Sequence, residues 1–514
     1  MRVIWWGKRK NYRWYALGLL AAINILNYLD RNVIFALFEP IKRDLGLSDA
    51  QLGWLGSAYI IVFSLAALPA GVLSDLRSRR AVIAGGVAIW SAFTFFSGLA
   101  RSFGQLFVSR AAVGVGEAAY GPASSSLVAD FFPGDRRAFA MGILASGVAL
   151  GGVLGLVLGG LLEQQYGWRV AFMAVAFPGF VFAALAARLV DPTRMPSKVS
   201  VRDSLRQVEI GLMAVARQFW PLIAAAVVAG VAVWYLAERL GADSRLDVAV
   251  AGLIVGLGLA LNIVIWSRAL RHQPPEVTAF GHEVSGAFDG MLLAIRLVLR
   301  TPTLGYLFVS GAMISFGMNG LVGWGPTFLS RELGLDPGRA ATMLGFWGLL
   351  AGTAGTVTGG YVADWLRGSG WLARAPGSSR VVTVAFGVVV GGLLTVALLY
   401  VRDLRYFGPL FTLAFFFLTW YNGPIAAALF DVVPPRIGAT VMGAFLLFIH
   451  LAGDAIAFPL VGALSDRFGI HNAVMVLPVV AIAGGLVTLL ATRTVAYDMG
   501  RAASRPTGNF PALP

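Results

Sequence analysis

Apolar residues run along this chain in blocks of about twenty or more, divided by short polar stretches that favour arginine. A helix needs about 20 apolar residues to cross a bilayer. The pattern predicts membrane-spanning helices at 14–38, 52–74, 81–100, 104–130, 139–163 and 169–190, numbered spans 1–6. Two further blocks, 219–238 and 247–267, follow a long polar stretch. Six more, spans 7–12, lie at 303–330, 340–364, 380–401, 406–431, 438–463 and 472–493. The prediction is an all-α membrane protein of fourteen transmembrane helices.

Charges inside these blocks are rare, and they cluster. Span 1 carries Asn27-Tyr28-Leu29-Asp30-Arg31, span 4 carries Arg110 and Glu117, and span 11 carries His450 and Asp454. A charged side chain in hydrocarbon costs several kcal/mol, so each should face other helices or a cavity. Arg110 and Glu117 are two helical turns apart, and His450 and Asp454 are at i and i+4; each pair therefore projects from one helix face. The spacing predicts that Asp30, Arg31, Arg110 and Glu117 meet near mid-membrane between two halves of the molecule.

The halves are announced by a repeat. Arg43-Asp44-Leu45-Gly46-Leu47 recurs as Arg331-Glu332-Leu333-Gly334-Leu335, each before an apolar span. Those spans end in Gly71-x-x-x-Asp75 and Gly360-x-x-x-Asp364. Domain expectations follow: 1–198 is a six-helix half, and 303–495 is its counterpart. Residues 199–302 form a linker with an inserted transmembrane hairpin at about 219–267, and 496–514 form a disordered tail. The hairpin has no counterpart in either half and should be peripheral. Segments 199–217 and 283–300 place apolar residues at helical spacing and should lie on the membrane face.

Composition and charge settle the class. Hydrophobic residues make up 58% and charged residues 13% of the chain, against about 25% charge in soluble domains. The formal net charge of +14 sits in alternate loops, so it reports topology rather than nucleic-acid binding. Arg2, Lys8, Arg9, Lys10 and Arg13 precede span 1, and the arginine-rich loops continue that bias, which predicts both termini in the cytoplasm. With no cysteine there is neither a disulfide nor a thiolate metal site. No metal-ligand spacing, phosphate loop or nucleophile paired with a base is evident, so no enzyme and no cofactor is expected.

Three further motifs carry candidate chemistry. Gly71-x-x-x-Asp75-x-Arg77-x-Arg79-Arg80, with Asp130 and the second copy at Gly360, Asp364 and Arg367, forms a candidate cytoplasmic gate; the competing reading is a plain positive loop. Gly114-x-Gly116 in span 4 is a packing device and not a nucleotide fingerprint, because no strand-turn-helix surrounds it. The glycines of span 5 (Gly142, Gly147, Gly151, Gly152, Gly155, Gly159 and Gly160) offer a close helix contact. Trp420-Tyr421-Asn422-Gly423-Pro424 interrupts span 10 with polar groups, and span 7 holds Asn319 and Trp324.

Together these residues resemble the major facilitator superfamily. Asn27-Tyr28-Leu29-Asp30-Arg31, Trp90-Ser91-Ala92, Ser109-Arg110 with Gly114-x-Gly116-Glu117-Ala118, and His450-Leu451-x-Gly453-Asp454-Ala455 are similar to the Spinster branch. The resemblance implies a major facilitator fold and proton-linked transport of lysophospholipids or sphingoid lipids. Asp30 and Glu117 match the family's proton-coupling acids, and Arg31, Arg110 and His450 its polar cavity; the inserted hairpin departs from its usual twelve spans.

The expectation is an alternating-access transporter in the plasma (inner) membrane, monomeric, with an amphipathic substrate, protons and membrane lipids as partners. Proton coupling is assigned to Asp30, Glu117, His450 and Asp454, with Glu117 as main carrier because no cation adjoins it in sequence. Binding is assigned to Asn27, Tyr28, Arg31, Arg110, Tyr120, Asn319, Trp420, Tyr421 and Asn422. An organic-anion or drug porter of the same fold, and a non-transporting scaffold or sensor, are the rival readings.

Overall fold

The computed structural model describes residues 10–76, 78–132, 136–191, 297–367, 377–433 and 438–504. The inserted hairpin at 219–267, and the surface helices expected at 199–217 and over most of 283–300, lie outside the described residues. All described secondary structure is helical.

The first half contains α1 (Lys10–Ala36), the short α2 (Phe38–Leu45), α3 (Asp49–Leu76), α4 (Arg79–Leu99), α5 (Phe103–Phe131) and α6 (Arg137–Ala186). Spans 5 and 6 are run together in α6, broken only at Gly167, whose φ of 81° and ψ of 164° lie where a side chain would be strained. The second half contains α7 (Pro302–Glu332), α8 (Pro337–Arg367), α9 (Ser378–Leu399), α10 (Leu404–Leu418), α11 (Asn422–Asp431), α12 (Gly438–Ile449), α13 (Ala455–Phe468) and α14 (Ile470–Leu490). A 3₁₀ turn at Thr419–Tyr421 joins α10 to α11, and a π turn at His450–Asp454 joins α12 to α13. A last helix, α15 (Val495–Ser504), corrects the expected disordered tail from 496. Its Asp498 is buried and accepts a bond from the Thr303 amide (3.1 Å), so the helix is tied to the start of α7.

The sequence repeat has a structural meaning. Gly46 and Gly334 occupy the same place in the two Arg-(Asp/Glu)-Leu-Gly-Leu segments, with φ of 63° and 66°. Both end a helix in the left-handed conformation that glycine adopts without a Cβ penalty.

Within the first half α1 packs on α6, and α5 on α3 and α4; within the second, α14 packs on α7 and α9, and α8 on α10. The glycine row of α6 makes the first contact possible. A Cβ on Gly151 would meet the Ile25 carbonyl, and one on Gly147 or Gly155 would press on Asn24 or Leu29. Across the halves, α3 meets α13 and α6 meets α8. These contacts gather at the end of the bundle away from Lys10 and Ser504, here called the distal end. There Phe35 stacks on Phe458 (4.9 Å), and Trp324 lies against Phe38 (5.2 Å) while donating to the Phe458 carbonyl (3.2 Å).

Ion pairs complete this distal seal. Arg331 of α7 reaches Glu39 (2.6 Å) and Asp49 (2.6 Å) in the first half. In the opposite direction, the amides of Asp49 (2.8 Å) and Ala50 (2.9 Å) donate to Asp466 of α13. Gln164 donates to Asp336 (2.5 Å) on another edge. Glu39, Asp49 and Ser465 are all buried here.

Candidate functional site

The polar residues of α1 and α5 form two rungs. Arg110 Nη1 lies 3.0 Å from Asp30 Oδ1, its Nη2 donates to the Asp30 backbone carbonyl (3.2 Å), and Arg31 Nη2 lies 3.2 Å from Glu117 Oε2. Adjacent residues on a helix point about 100° apart. Asp30 therefore faces into the first half while Arg31 turns outward, and each takes its partner from α5 rather than from its neighbour. Glu117, which has no cation beside it in sequence, has one across the helix interface.

The two acids differ in their partners. Asp30 has both oxygens engaged, Oδ1 by Arg110 and Oδ2 by the Thr94 hydroxyl of α4. Glu117 has Oε2 engaged by Arg31, while the Tyr59 hydroxyl stands beside the same carboxylate and interacts with it. Asp30, Arg110 and Glu117 are each 1% exposed. Arg31 is 18% exposed at its side chain, and its guanidinium is enclosed by the rings of Tyr28 (4.5 Å), Tyr59 (4.8 Å) and Phe63 (4.8 Å).

Arg31 marks the wall of a cavity of about 770 Å³ between the halves. The cavity reaches from the Phe35–Phe458 stack of the distal seal to Thr356, Val357, Asn422 and Met442 of the second half. Most of its lining is Phe, Leu, Val and Gly. On the side facing Arg31, the π turn presents Asp454. Its Oδ1 accepts from Ser315 and from Asn319 Nδ2 (3.0 Å), and its Oδ2 is 2.6 Å from His450 Nδ1. π turns inside α-helices recur at functional sites, since they re-aim side chains that a regular helix would hold elsewhere.

Residues 20–242 match the Major Facilitator Superfamily, and residues 268–399 match the Organic Anion Transporter Polypeptide (OATP) family. The fold superposes on a bacterial homolog of the human lysosomal transporter Spinster, inward-facing and unoccupied, with a TM-score of 0.70 and 23% identity over 95% of this chain and 98% of that one. The first part of the chain thus carries the Major Facilitator Superfamily match, and the chain has the fold of that superfamily's solved members. It is similar to Protein spinster of Drosophila melanogaster, 26% identical over 59% of this chain and 53% of that one. It is 31% identical to the sphingosine-1-phosphate transporter SPNS2 of Xenopus tropicalis over 34% and 36%. It is also 34% identical to an MFS-type efflux pump of Mycolicibacterium smegmatis over 37% and 45%. The chain thus spans about half or less of the length of these curated relatives.

On this major facilitator frame, the expected binding residues divide. Tyr28, Arg31, Asn319, Tyr421 and Asn422 line the cavity, as do His450 and Asp454. Arg110 does not, being enclosed with Asp30. Tyr120 is buried against Trp90 and donates to the Leu20 carbonyl (2.5 Å), Asn27 is buried, and Trp420 packs among Phe386, Phe416 and Phe417. The four-residue convergence is therefore a wall of the first half, with Arg31 as its face to the cavity.

The expected gate residues lie at the other end. Arg77 and the side chain of Asp75 lie outside the described residues, as do the surroundings of Gly71. Arg79 pairs with Asp130 (2.7 Å) and Asp191 (2.5 Å), while Arg80 is exposed and donates to the Leu189 carbonyl (3.3 Å). The second half repeats the first of these pairs as Arg380 with Asp431, again from the start of one span to the end of the next. Asp364 and Arg367 are exposed, and Gly360 has open space around it.

Sequence reading missed Thr94, Ser315, Tyr59 and Phe63, because a hydroxyl or ring in an apolar span gives no signal of its own. It also missed the distal ion network. Arg331 was visible only as part of a repeat, and Glu39, Asp49 and Asp466 look like ordinary loop charges.

Proposed function

We propose that the protein is a secondary transporter that moves an amphipathic lipid, of lysophospholipid or sphingoid type, by alternating access coupled to protons. One observation carries the reading: a largely apolar cavity, sealed at one end, has a cation on its wall that is paired with a fully buried carboxylate. The apolar walls suit an acyl chain and Arg31 suits an anionic head. The similarity to a sphingosine-1-phosphate transporter supports this class.

The coupling follows from Arg31 being shared. With Glu117 ionised, its carboxylate and the three surrounding rings hold the guanidinium back. A proton on Glu117 removes that negative partner and leaves the cation for the substrate's anionic group. Proton and substrate then load together and leave together. Asp30, bonded at both oxygens, holds Arg110 and the helix pair in place. The arginine-rich loops put both termini in the cytoplasm, so the cavity faces inward and the distal seal faces outward, in the plasma (inner) membrane.

The test is pH-gradient-driven uptake in proteoliposomes beside equilibrium binding. Glu117→Gln, which mimics the protonated state, should abolish proton-driven accumulation and keep binding and exchange. Unchanged accumulation with unchanged pH dependence would move the proton to Asp30, His450 or Asp454. A second reading, an organic-anion or drug porter, is favoured by the match to the organic anion transporter family and by the efflux-pump relative. A panel setting single-chain lipids against water-soluble anions separates the two.

A further inference from the structure

A second hollow lies on the outside of the first half. At the distal end, a groove of about 530 Å³ runs between α4 and α5, with Phe96 and Leu99 on one wall and Gly104, Gln105 and Val108 on the other. The central cavity takes none of its lining from 79–131, and Phe96, Leu99 and Val108 are exposed. Both helices cross the membrane, so the groove opens on lipid. Its distal end is polar. Ala100 lines the groove, and Arg101 beside it is exposed and pairs with no acid among the described residues. Arg169, which donates to the Ala100 carbonyl (3.2 Å), is by contrast spent on Asp44. The Gln105 side chain accepts from the Arg101 amide (2.8 Å), which ties the turn down and leaves its Nε2 as a donor at the groove. An apolar slot with an unpaired cation at its interfacial end complements a lipid chain below an anionic head group.

We infer that this groove binds an anionic phospholipid of the distal leaflet: one acyl chain lies along Phe96, Leu99 and Val108, and the phosphate meets Arg101 and Gln105. The site is separate from the cavity and holds whatever the cavity carries. The walls of the groove are also the two helices that satisfy Asp30. Thr94 of α4 lies two residues before Phe96, and Arg110 of α5 follows the groove residue Ser109; each engages one oxygen of Asp30. A chain seated between α4 and α5 bears on their spacing, so the bound lipid stabilises the Asp30–Arg110 rung from the membrane side. Gly104 keeps the groove open, since a Cβ there would meet nothing within 4 Å.

The test follows thermal unfolding of the detergent-purified full chain during titration with dioleoyl phosphatidylglycerol or dioleoyl phosphatidylcholine, because a ligand of the native state raises the unfolding temperature as it saturates. Phosphatidylglycerol should bind about fivefold more tightly, the scale of one arginine at a membrane surface. Glycerol phosphate, the anion without the chains, should leave the transition unmoved. Arg101→Gln should remove the preference and keep the binding of phosphatidylcholine. Gly104→Trp fills the open space and should weaken both lipids by about tenfold, the effect of losing roughly two buried methylenes. Gly85→Trp, at an equally open position near the other end of α4, should leave both unchanged. Equal binding of the two lipids by the wild type, or undiminished binding by Gly104→Trp, overturns the site. Stabilisation by glycerol phosphate overturns the lipid in favour of a soluble anion. If Gly104→Trp does not fold, the wild-type comparison and Arg101→Gln, a change at an exposed position, still decide the matter.

Discussion

Arg331 is the residue whose loss should most change which way the cavity opens. It bonds Glu39 through Nε (2.7 Å) and Asp49 through both terminal nitrogens (2.6 and 2.7 Å), and both acids belong to the other half. Removing one partner of a buried pair costs about 3–5 kcal/mol. Two facts lower that figure here: Arg331 is 23% exposed, and Lys42 stays on Asp49 at 2.5 Å. Arg331→Met should therefore destabilise the sealed state by about 2–3 kcal/mol, a shift of about 30- to 150-fold toward states open at the distal end. The chain has no cysteine, so a single Val322→Cys on the cavity wall reports access without further engineering. A membrane-impermeant maleimide added on the distal side should label it slowly in the parent and about 30- to 150-fold faster with Arg331→Met, if labelling tracks the open fraction. An unchanged rate from that side, in protein that still labels from the other, would refute the view that these ion pairs hold the seal.

Asp30→Asn leaves Arg110 buried and without its ionic partner, so thermal unfolding should show a loss of about 3–5 kcal/mol; a stability equal to wild type would show that the rung is not structural. Gly151→Ala should cost about 1–3 kcal/mol, because its Cβ meets the Ile25 carbonyl and the α1–α6 contact must widen. Gly142→Ala, with open space at its Cβ, should be neutral or slightly stabilising on the same thermal scale. Deleting 219–267 with a short linker should leave uptake measurable, since neither 221–236 nor 248–266 contains an Asp or Glu that could couple protons; loss of uptake in a well-folded protein would make the hairpin part of the machinery.

The architecture was legible because membrane helices must satisfy their backbones internally and show as long apolar blocks. The repeat was legible for a sharper reason: Gly46 and Gly334 sit at helix ends that need positive φ. The ionisable residues of the candidate site stood out against apolar sequence. Their pairing did not, because it depends on how α1 is rotated: Asp30 and Arg31 are chain neighbours yet serve different partners on α5. Burial was equally hidden. Arg31 and Arg110 look alike in sequence, but one lines the cavity and the other is enclosed beside Asp30. Trp420 and Tyr421 diverge in the same way, since the 3₁₀ turn that carries them points one into an aromatic cluster and the other into the cavity. The helix at 495–504 escaped notice because the prolines beyond it dominate the composition of the tail.

The matched segments of the two halves also speak to how the protein came about. In each, the acid is tied back within its own half, Asp44 to Arg169 and Glu332 to Arg402. The arginine before it has two fates: Arg43 points into solvent, whereas Arg331 grips the other half. An ancestor made of two identical copies would have presented both arginines equivalently and closed with a pair of clasps. After duplication into one chain, a single clasp suffices, and the spare copy is released to drift. The present molecule can thus be unlocked at one residue, and mutations in its twin at position 43 should be borne almost silently.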